Sequence, residues 1–360
     1  MSREVSHLLD LPISNEHAQE RAKWLLDNFN QITKACNVWT LTLKEELIQL
    51  LNQKLPTFVI ETALLDKAAN TTFTGEDGQP IHPYTEKSVQ IAAVLNFLGS
   101  YQVSRKDGSL YTAHPMFVDL IILLMNSTTS VEVRVKALIH DFIEEDLLRL
   151  WEKHSIDPNE GYITPNWELP LEDNLSAART QLNTVLPKYN PGDAALDLMA
   201  PVVDDTELLK IVPEAEKEKY KQSLFIYWLN WRAEKQPETR VIKLADKIHD
   251  LLDLNYILNN PKMTEEARSK KLATKLAKVF FSMYHLTHNQ DNELQPDVPK
   301  QLWAIFLNLV TTRLKKFSIS TDEGSLFHST YLEYLQHYTS NTEIMSNQCT
   351  LYAQKVGLSV

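Results

Sequence analysis

Glycine is scarce in this chain, which has eight glycines among its 360 residues, whereas glycine usually makes up ~7% of a protein. Tight turns and β-hairpins often need glycine, because it adopts positive φ without steric cost. The composition therefore favours helices. Hydrophobic residues make up 43% of the chain, which is enough for a packed core and argues against intrinsic disorder.

Cysteines are few, and the chain lacks an excess of basic residues and long apolar runs. Cys36 and Cys349 are far apart in the sequence and form no metal-binding pair, so we expect a reducing, cytoplasmic environment. The net charge of −11 argues against broad binding to nucleic acid or to anionic membranes. No apolar run approaches the roughly 18 residues of a membrane span, and the first residues lack the apolar core of a signal peptide. We expect no membrane or nucleic-acid partner. The sequence does not determine the oligomeric state.

Apolar residues recur with helical spacing along most of the chain, and there is no strand-like alternation of useful length. The pattern predicts an all-α protein. It places one helix up to about Ala35, and a second helix that begins at a capping box formed by Thr42 and Glu45. It also predicts one long helix over about 131–154 and three helical stretches near 263–287, 298–316 and 324–356.

The segment ALIHDFIEED, residues 137–146, combines apolar and ionisable side chains. On a helix that turns by about 100° per residue, His140, Asp141, Glu144 and Glu145 share one face. An amphipathic helix with a solvated acidic face has the same pattern. The segment alone therefore does not indicate a functional site.

Other candidate metal ligands occur elsewhere in the chain. VIKLADKIHDLLDL, residues 241–254, places Asp246 in an apolar run, and His114 precedes Pro115 at the start of a predicted helix. Two imidazoles and two carboxylates suit a divalent first-row metal such as Mn²⁺, Fe²⁺ or Zn²⁺. The predicted ligands are His114, His140, Asp141 and Asp246.

These segments resemble the HD-domain superfamily of metal-dependent phosphohydrolases. Within this superfamily, they resemble the (p)ppGpp hydrolase domain of the RelA/SpoT group and the small stand-alone alarmone hydrolases. The matching motifs, in the family's order, are RKDGSLYTAHP (105–115), ALIHDFIEE (137–145), VVDDTEL (202–208) and RVIKLADKIHDL (240–251). The resemblance implies an HD-type helical core over 91–258 with a long insertion near 155–193. Helical extensions would cover 1–90 and 259–360.

The resemblance also implies an activity, which is hydrolysis of the 3′-pyrophosphate of (p)ppGpp to give GDP or GTP and pyrophosphate. One metal ion, Mn²⁺ in the family, would activate the attacking water. Glu144 and Glu145 would orient that water and carry protons. Arg105 would stack on the guanine base. The implied substrate-binding residues are Arg105, Tyr111, Lys243, Lys247 and Asp250.

Asp250 departs from the family pattern, which has asparagine at this position. Two alternatives therefore stay open beside the alarmone hydrolase. One is an HD phosphohydrolase that acts on another nucleotide, such as NADPH or a nucleoside phosphate, and the other is a non-catalytic HD module for sensing or interaction. Two further patterns predict no site: His285 and His288 are interpreted as surface histidines, and Lys271, Lys275 and Lys278 as a solvated helix face.

Overall fold

The computed structural model describes residues 16–105, 108–126, 128–153, 162–202 and 212–360. These residues are mainly helical, in agreement with the predicted all-α class. Their one small sheet is a hairpin of two-residue antiparallel strands, in which Phe73 pairs with Ile81 and Thr74 with Pro80.

The elements up to residue 200 include the two strands and a π-helical segment. They are α1 (Glu16–Asn52), α2 (Thr57–Ala69), β1 (Phe73–Thr74), β2 (Pro80–Ile81), α3 (Lys87–Ser100), α4 (Ala113–Met125), α5 (Val131–Ile139), the π-helical segment (Glu144–Leu148), α6 (Arg149–Lys153), α7 (Leu171–Val185) and α8 (Pro191–Leu198).

The later elements are helical in the described residues. They are a 3₁₀ turn (Glu214–Glu216), α9 (Lys217–Ala233), α10 (Glu238–Leu252), α11 (Asn255–Leu258), α12 (Glu265–Thr287), α13 (Lys300–Lys316), α14 (Leu326–Ser340) and α15 (Thr342–Lys355). The helices divide into two compact units. The N-terminal unit comprises the described residues of 27–199 with 355–358, and the C-terminal unit comprises those of 200–354 with 359–360 and the described residues up to 26. The predicted domain boundaries near residues 90 and 258 stay predictions.

In the N-terminal unit, α5 packs against both α3 and α4. The first ten residues of α4 are all buried, so this helix is a central part of the core. Gly99 of α3 lies so close to the ring of Phe142 that an added Cβ would be 2.6 Å from it. This close approach holds the segment after α5 against α3.

In the C-terminal unit, α12 packs against α14, α9 and α10, and α10 also packs against α13. The core between these helices includes the fully buried rings of Phe280, Phe281 and Phe306. Arg313 of α13 donates to the carbonyl oxygens of Leu251 and Leu252 at 3.1 and 3.2 Å. These bonds satisfy carbonyl groups at the end of α10 that have no partner within the helix.

Helix α1 is continuous where two helices were predicted. The Thr42 hydroxyl donates to the Val38 carbonyl at 2.8 Å, so it acts within a helix and does not cap a new one. Neither glycine nor proline interrupts residues 16–52. Buried Cys36, Trp39 and Leu43 continue one apolar stripe through the predicted gap.

The long helix predicted over 131–154 is interrupted. Helix α5 ends at Ile139, and His140 and Asp141 form a turn. The chain becomes helical again at Phe142 and continues into the π-helical segment at Glu144. The stretch predicted over 324–356 is also two helices, separated at Asn341.

Candidate metal centre

His114 lies in the first turn of α4 and is 4% exposed. The segment before it is fixed to α3, because the Asn96 amide donates to the Thr112 carbonyl at 3.0 Å and the Ser100 and Thr112 hydroxyls are 2.9 Å apart. Pro115 suits a first helical turn, where its missing N–H leaves no intrahelical bond unmade. Together these features hold His114 in place.

His140 follows α5 directly, and a backbone contact sets its tautomer. Its Nδ1 lies 2.7 Å from the Ala137 carbonyl oxygen. A carbonyl oxygen only accepts, so Nδ1 carries a proton, and in the neutral ring Nε2 presents a lone pair. Nε2 is buried and has no hydrogen-bond partner among the residues that the structure describes. A buried imidazole nitrogen in this state is suited to ligate a metal ion.

Asp141 contacts both imidazoles. Its Oδ1 is 3.1 Å from His140 Nε2, and its Oδ2 is 3.3 Å from His114 Nε2. The Tyr111 hydroxyl donates to Oδ2 at 2.8 Å, which orients the carboxylate. The N-terminal unit therefore brings three of the four predicted ligands into mutual contact.

Asp246 is a buried residue of α10 with two lysines beside its carboxylate. Its Oδ2 is 3.3 Å from Lys243 Nζ and 3.1 Å from Lys247 Nζ. His114 and His140 of the N-terminal unit and Asp246 of the C-terminal unit are each buried, and each offers a metal-ligand atom. Side chains of this kind could hold a metal ion, which agrees with the predicted metal requirement.

Glu144 and Glu145 begin the π-helical segment, a type of turn that recurs at functional sites. The Glu145 N–H donates to the Asp141 carbonyl at 2.9 Å. Glu144 is exposed and Glu145 is half-buried. Burial, together with the negative charges of Asp141 and Glu144, raises the pKa of the Glu145 carboxyl to about 7. This carboxyl can therefore give or take a proton near neutral pH.

Asp146 has a structural role that the sequence analysis missed. Its carboxylate is fully buried and accepts the backbone N–H groups of Tyr162 and Ile163 at 2.9 and 2.8 Å. Burial raises the pKa of Asp146 to about 7. The two hydrogen bonds attach the turn that carries Glu144 and Glu145 to the chain after residue 161. The sequence signal for this role was the position of Asp146, an acidic residue, on the apolar side of the segment.

Arg105 and Tyr111 belong to the N-terminal unit. Arg105 is half-buried in a turn closed by the bridge between Ser104 and Leu110, and its N–H donates to the Ser109 carbonyl at 2.8 Å. The Tyr111 hydroxyl donates a hydrogen bond to Asp141, so Tyr111 orients a candidate metal ligand.

Lys243, Lys247 and Asp250 share α10 with Asp246. Lys243 is buried, and Lys247 Nζ lies 3.0 Å from an Asp250 oxygen in addition to its contact with Asp246. The ion pair partly neutralises Asp250, so the repulsion that a carboxylate here would exert on phosphate is reduced. Residues 203–208 of the VVDDTEL motif and residues 155–161 of the predicted insertion lie outside the described residues.

His285 and His288 lie in an aromatic cluster instead of on the surface. His285 is 4.7 Å from the Phe281 ring centroid, and His288 stacks on Tyr284 at 4.4 Å. Burial, with a smaller contribution from His288, lowers the pKa of His285 to about 4. Both imidazoles therefore pack as largely neutral rings at physiological pH.

The chain matches no protein-family model, no curated protein and no solved structure. Within the described ranges, no helix is both long enough and apolar enough to cross a membrane.

Proposed function

We propose that the protein is a metal-dependent phosphohydrolase of the HD type, with its core over residues 91–258 and (p)ppGpp as its substrate. The observation that carries the proposal is the buried Nε2 of His140, which has no hydrogen-bond partner in the described part of the chain and lies beside Asp141. In a purely structural role, such a nitrogen would cost about 1–3 kcal/mol. A bond to a metal ion would offset that cost.

The proposed ligands of one divalent cation are His114, His140, Asp141 and Asp246. Imidazole and carboxylate ligands without thiolate suit Mn²⁺ or Fe²⁺, whereas structural zinc sites usually include cysteine ligands. We propose Mn²⁺. A divalent ion here would polarise a phosphoryl oxygen and lower the pKa of water.

Glu145 is the proposed acid–base residue. With a pKa of about 7, both its protonated and its ionised forms are populated near neutral pH. It can therefore accept a proton from the attacking water and return it to the leaving group. Burial and nearby carboxylates raise the pKa of Tyr111 well above its usual value, so Tyr111 stays protonated and keeps donating to Asp141. The exposed Glu144 would exchange protons with solvent.

Asp250 favours a second candidate substrate, another nucleotide such as NADPH or a nucleoside phosphate. An asparagine here would offer an amide donor, whereas the ionised Asp250 only accepts hydrogen bonds. Its ion pair with Lys247 reduces the repulsion of phosphate but supplies no amide donor. A ribose hydroxyl or a base amine would be the matching substrate group.

The proposal can be tested by assaying the full-length protein with Mn²⁺ or with a chelator against ppGpp, pppGpp, NADPH and nucleoside triphosphates. We expect Mn²⁺-dependent release of pyrophosphate from ppGpp that is lost in His140→Ala. A Glu20→Gln variant, which alters an exposed contact with His17 on α1, is the matched control and should keep full activity. Absence of turnover on every phosphate ester by the metal-loaded protein would overturn the proposal.

A further inference from the structure

A cavity of about 650 Å³ opens within the C-terminal unit between α9, α10, α11, α12 and α14. Its volume falls in the range of small-ligand pockets, about 300–1,000 Å³. Two carboxylates, those of Asp250 and Glu218, line it. The cations in its lining outnumber them, and they are Lys247, Lys270, Lys271, Lys275 and Lys278.

Three of the five lysines have carboxylate partners. Lys247 pairs with Asp250 at 3.0 Å, Lys278 with Glu218 at 2.6 Å and Lys270 with Glu266 at 2.8 Å. The charge of each of these lysines is therefore compensated within the protein.

Lys271 and Lys275 differ from the other lysines of the cavity. Neither has a carboxylate at ion-pair distance among the described residues, although both lie against Tyr256. They are one turn apart on the same face of α12, where like charges destabilise a helix. In a chain with a net charge of −11, this local excess of cations is suited to hold an anion from solution.

The rest of the cavity adds an aromatic and apolar surface. The Tyr256 ring lies beneath Lys275, whose Nζ is 5.1 Å from the ring centroid and donates to the Tyr256 hydroxyl at 2.9 Å. Phe225, Ile257 and Val279 also line the cavity. Uncompensated cations beside aromatic surface match a ligand that carries both a planar base and phosphates. The volume suits one nucleotide, which favours this ligand over a nucleic-acid strand.

We propose that this cavity binds the substrate as a nucleoside polyphosphate, with its phosphates on Lys271 and Lys275 and its base against the aromatic surface. The assignment of this cavity as a substrate site rests on the proposed function. Lys247 lines the cavity and lies 3.1 Å from Asp246, so it connects the cavity to a candidate metal ligand of the same helix. The face of α12 that carries Lys271 and Lys275, interpreted from the sequence as solvated, would thus bind a ligand.

The test is calorimetric titration of the full-length Glu145→Gln variant with GTP and with inorganic triphosphate, before and after the additional changes Lys271→Gln and Lys275→Gln. Each change should weaken both Kd values about tenfold, because one phosphate contact is lost, which corresponds to about 1.4 kcal/mol. Lys315→Gln removes an exposed lysine of α13 outside the cavity and is the matched control. With Glu145 intact, the two changes should raise the KM for ppGpp and leave kcat within about twofold.

Two outcomes separate this inference from the proposed function. If the lysine variants bind both ligands like the parent while the protein still hydrolyses ppGpp, the cavity assignment is wrong and the hydrolase proposal stands. If the lysines are needed for GTP binding, and binding persists in Asp246→Asn, the cavity assignment holds even for a protein that hydrolyses nothing. Equal competition by sulfate at the same concentration would also overturn it, because a nucleotide site should discriminate against a simple anion.

Discussion

Breaking the buried ion pair between Arg134 and Asp119 should loosen the two helices that position the candidate histidines. The guanidinium of Arg134, on α5, donates to both oxygens of Asp119, on α4, at 2.9 and 2.6 Å. Asp119 is 0% and Arg134 is 6% exposed. Removing one partner leaves a buried, unpaired charge, which costs about 3–5 kcal/mol. That is a large part of a typical stability of about 5–15 kcal/mol.

The two single variants should differ in their dependence on pH. Asp119→Leu leaves a guanidinium that cannot lose its proton, so its cost should stay constant between pH 7 and pH 5. Arg134→Met leaves a carboxyl whose pKa is already raised by burial, so protonation at lower pH should reduce its cost. The double variant removes both charges and should recover most of the lost stability.

Hydrogen exchange measured by mass spectrometry can follow the opening of α4 and α5 directly. Both single variants should exchange faster in peptides from these helices at pH 7, whereas the exposed-pair variant Glu266→Gln should match the parent protein. Unchanged exchange in α4 and α5 of both single variants would show that this ion pair does not hold the two helices together.

Three other changes test individual side chains. Glu145→Gln keeps the side-chain shape but removes the proton-accepting charge, so metal content should stay while turnover falls by about 10²–10⁴; parental turnover would exclude the acid–base role. Asp250→Asn supplies an amide donor and removes one of the two carboxylates that pair with Lys247, so the KM for ppGpp should fall; a loss of NADPH hydrolysis instead would indicate the second candidate substrate. In the folded protein Asp146 holds its proton up to about pH 7, whereas in the unfolded chain it releases the proton near pH 4. The free energy of unfolding should therefore decrease as the pH rises between these two values. The expected decrease is about 1.4 kcal/mol per unit of pKa shift. Urea titrations at pH 5 and pH 8 should show a smaller decrease for Asp146→Asn.

Helical periodicity located most helices, because an apolar stripe depends only on local spacing. Thr42 shows where this reasoning fails. A capping threonine and a threonine that bonds four residues back look alike in sequence, and here the continuous packing of α1 decides between them. The interruption after Ile139 has no glycine or proline to signal it, so the sequence could not separate it from a regular helix.

The candidate ligands could be proposed from the sequence because their residue types and motifs are local. Their hydrogen bonds and ion pairs could not be predicted in the same way. The contact of His140 Nδ1 with Ala137, which frees Nε2, depends on the turn that ends α5. The pairing of Asp250 with Lys247 and the absence of a described carboxylate partner for Lys271 depend on side-chain conformations and on which helices pack against α12. Such pairings are set by tertiary structure, which residue spacing alone does not determine.

We propose that His114, His140, Asp141 and Asp246 together hold one divalent metal ion. It is tested most directly by loading the full-length protein with Mn²⁺, desalting it and measuring the metal content per chain by elemental analysis. We expect about one Mn²⁺ per chain in the parent protein and in Glu144→Gln, and loss of the metal in His140→Ala, Asp141→Asn and Asp246→Asn. Folded ligand variants that retain the parental amount of Mn²⁺ would contradict it.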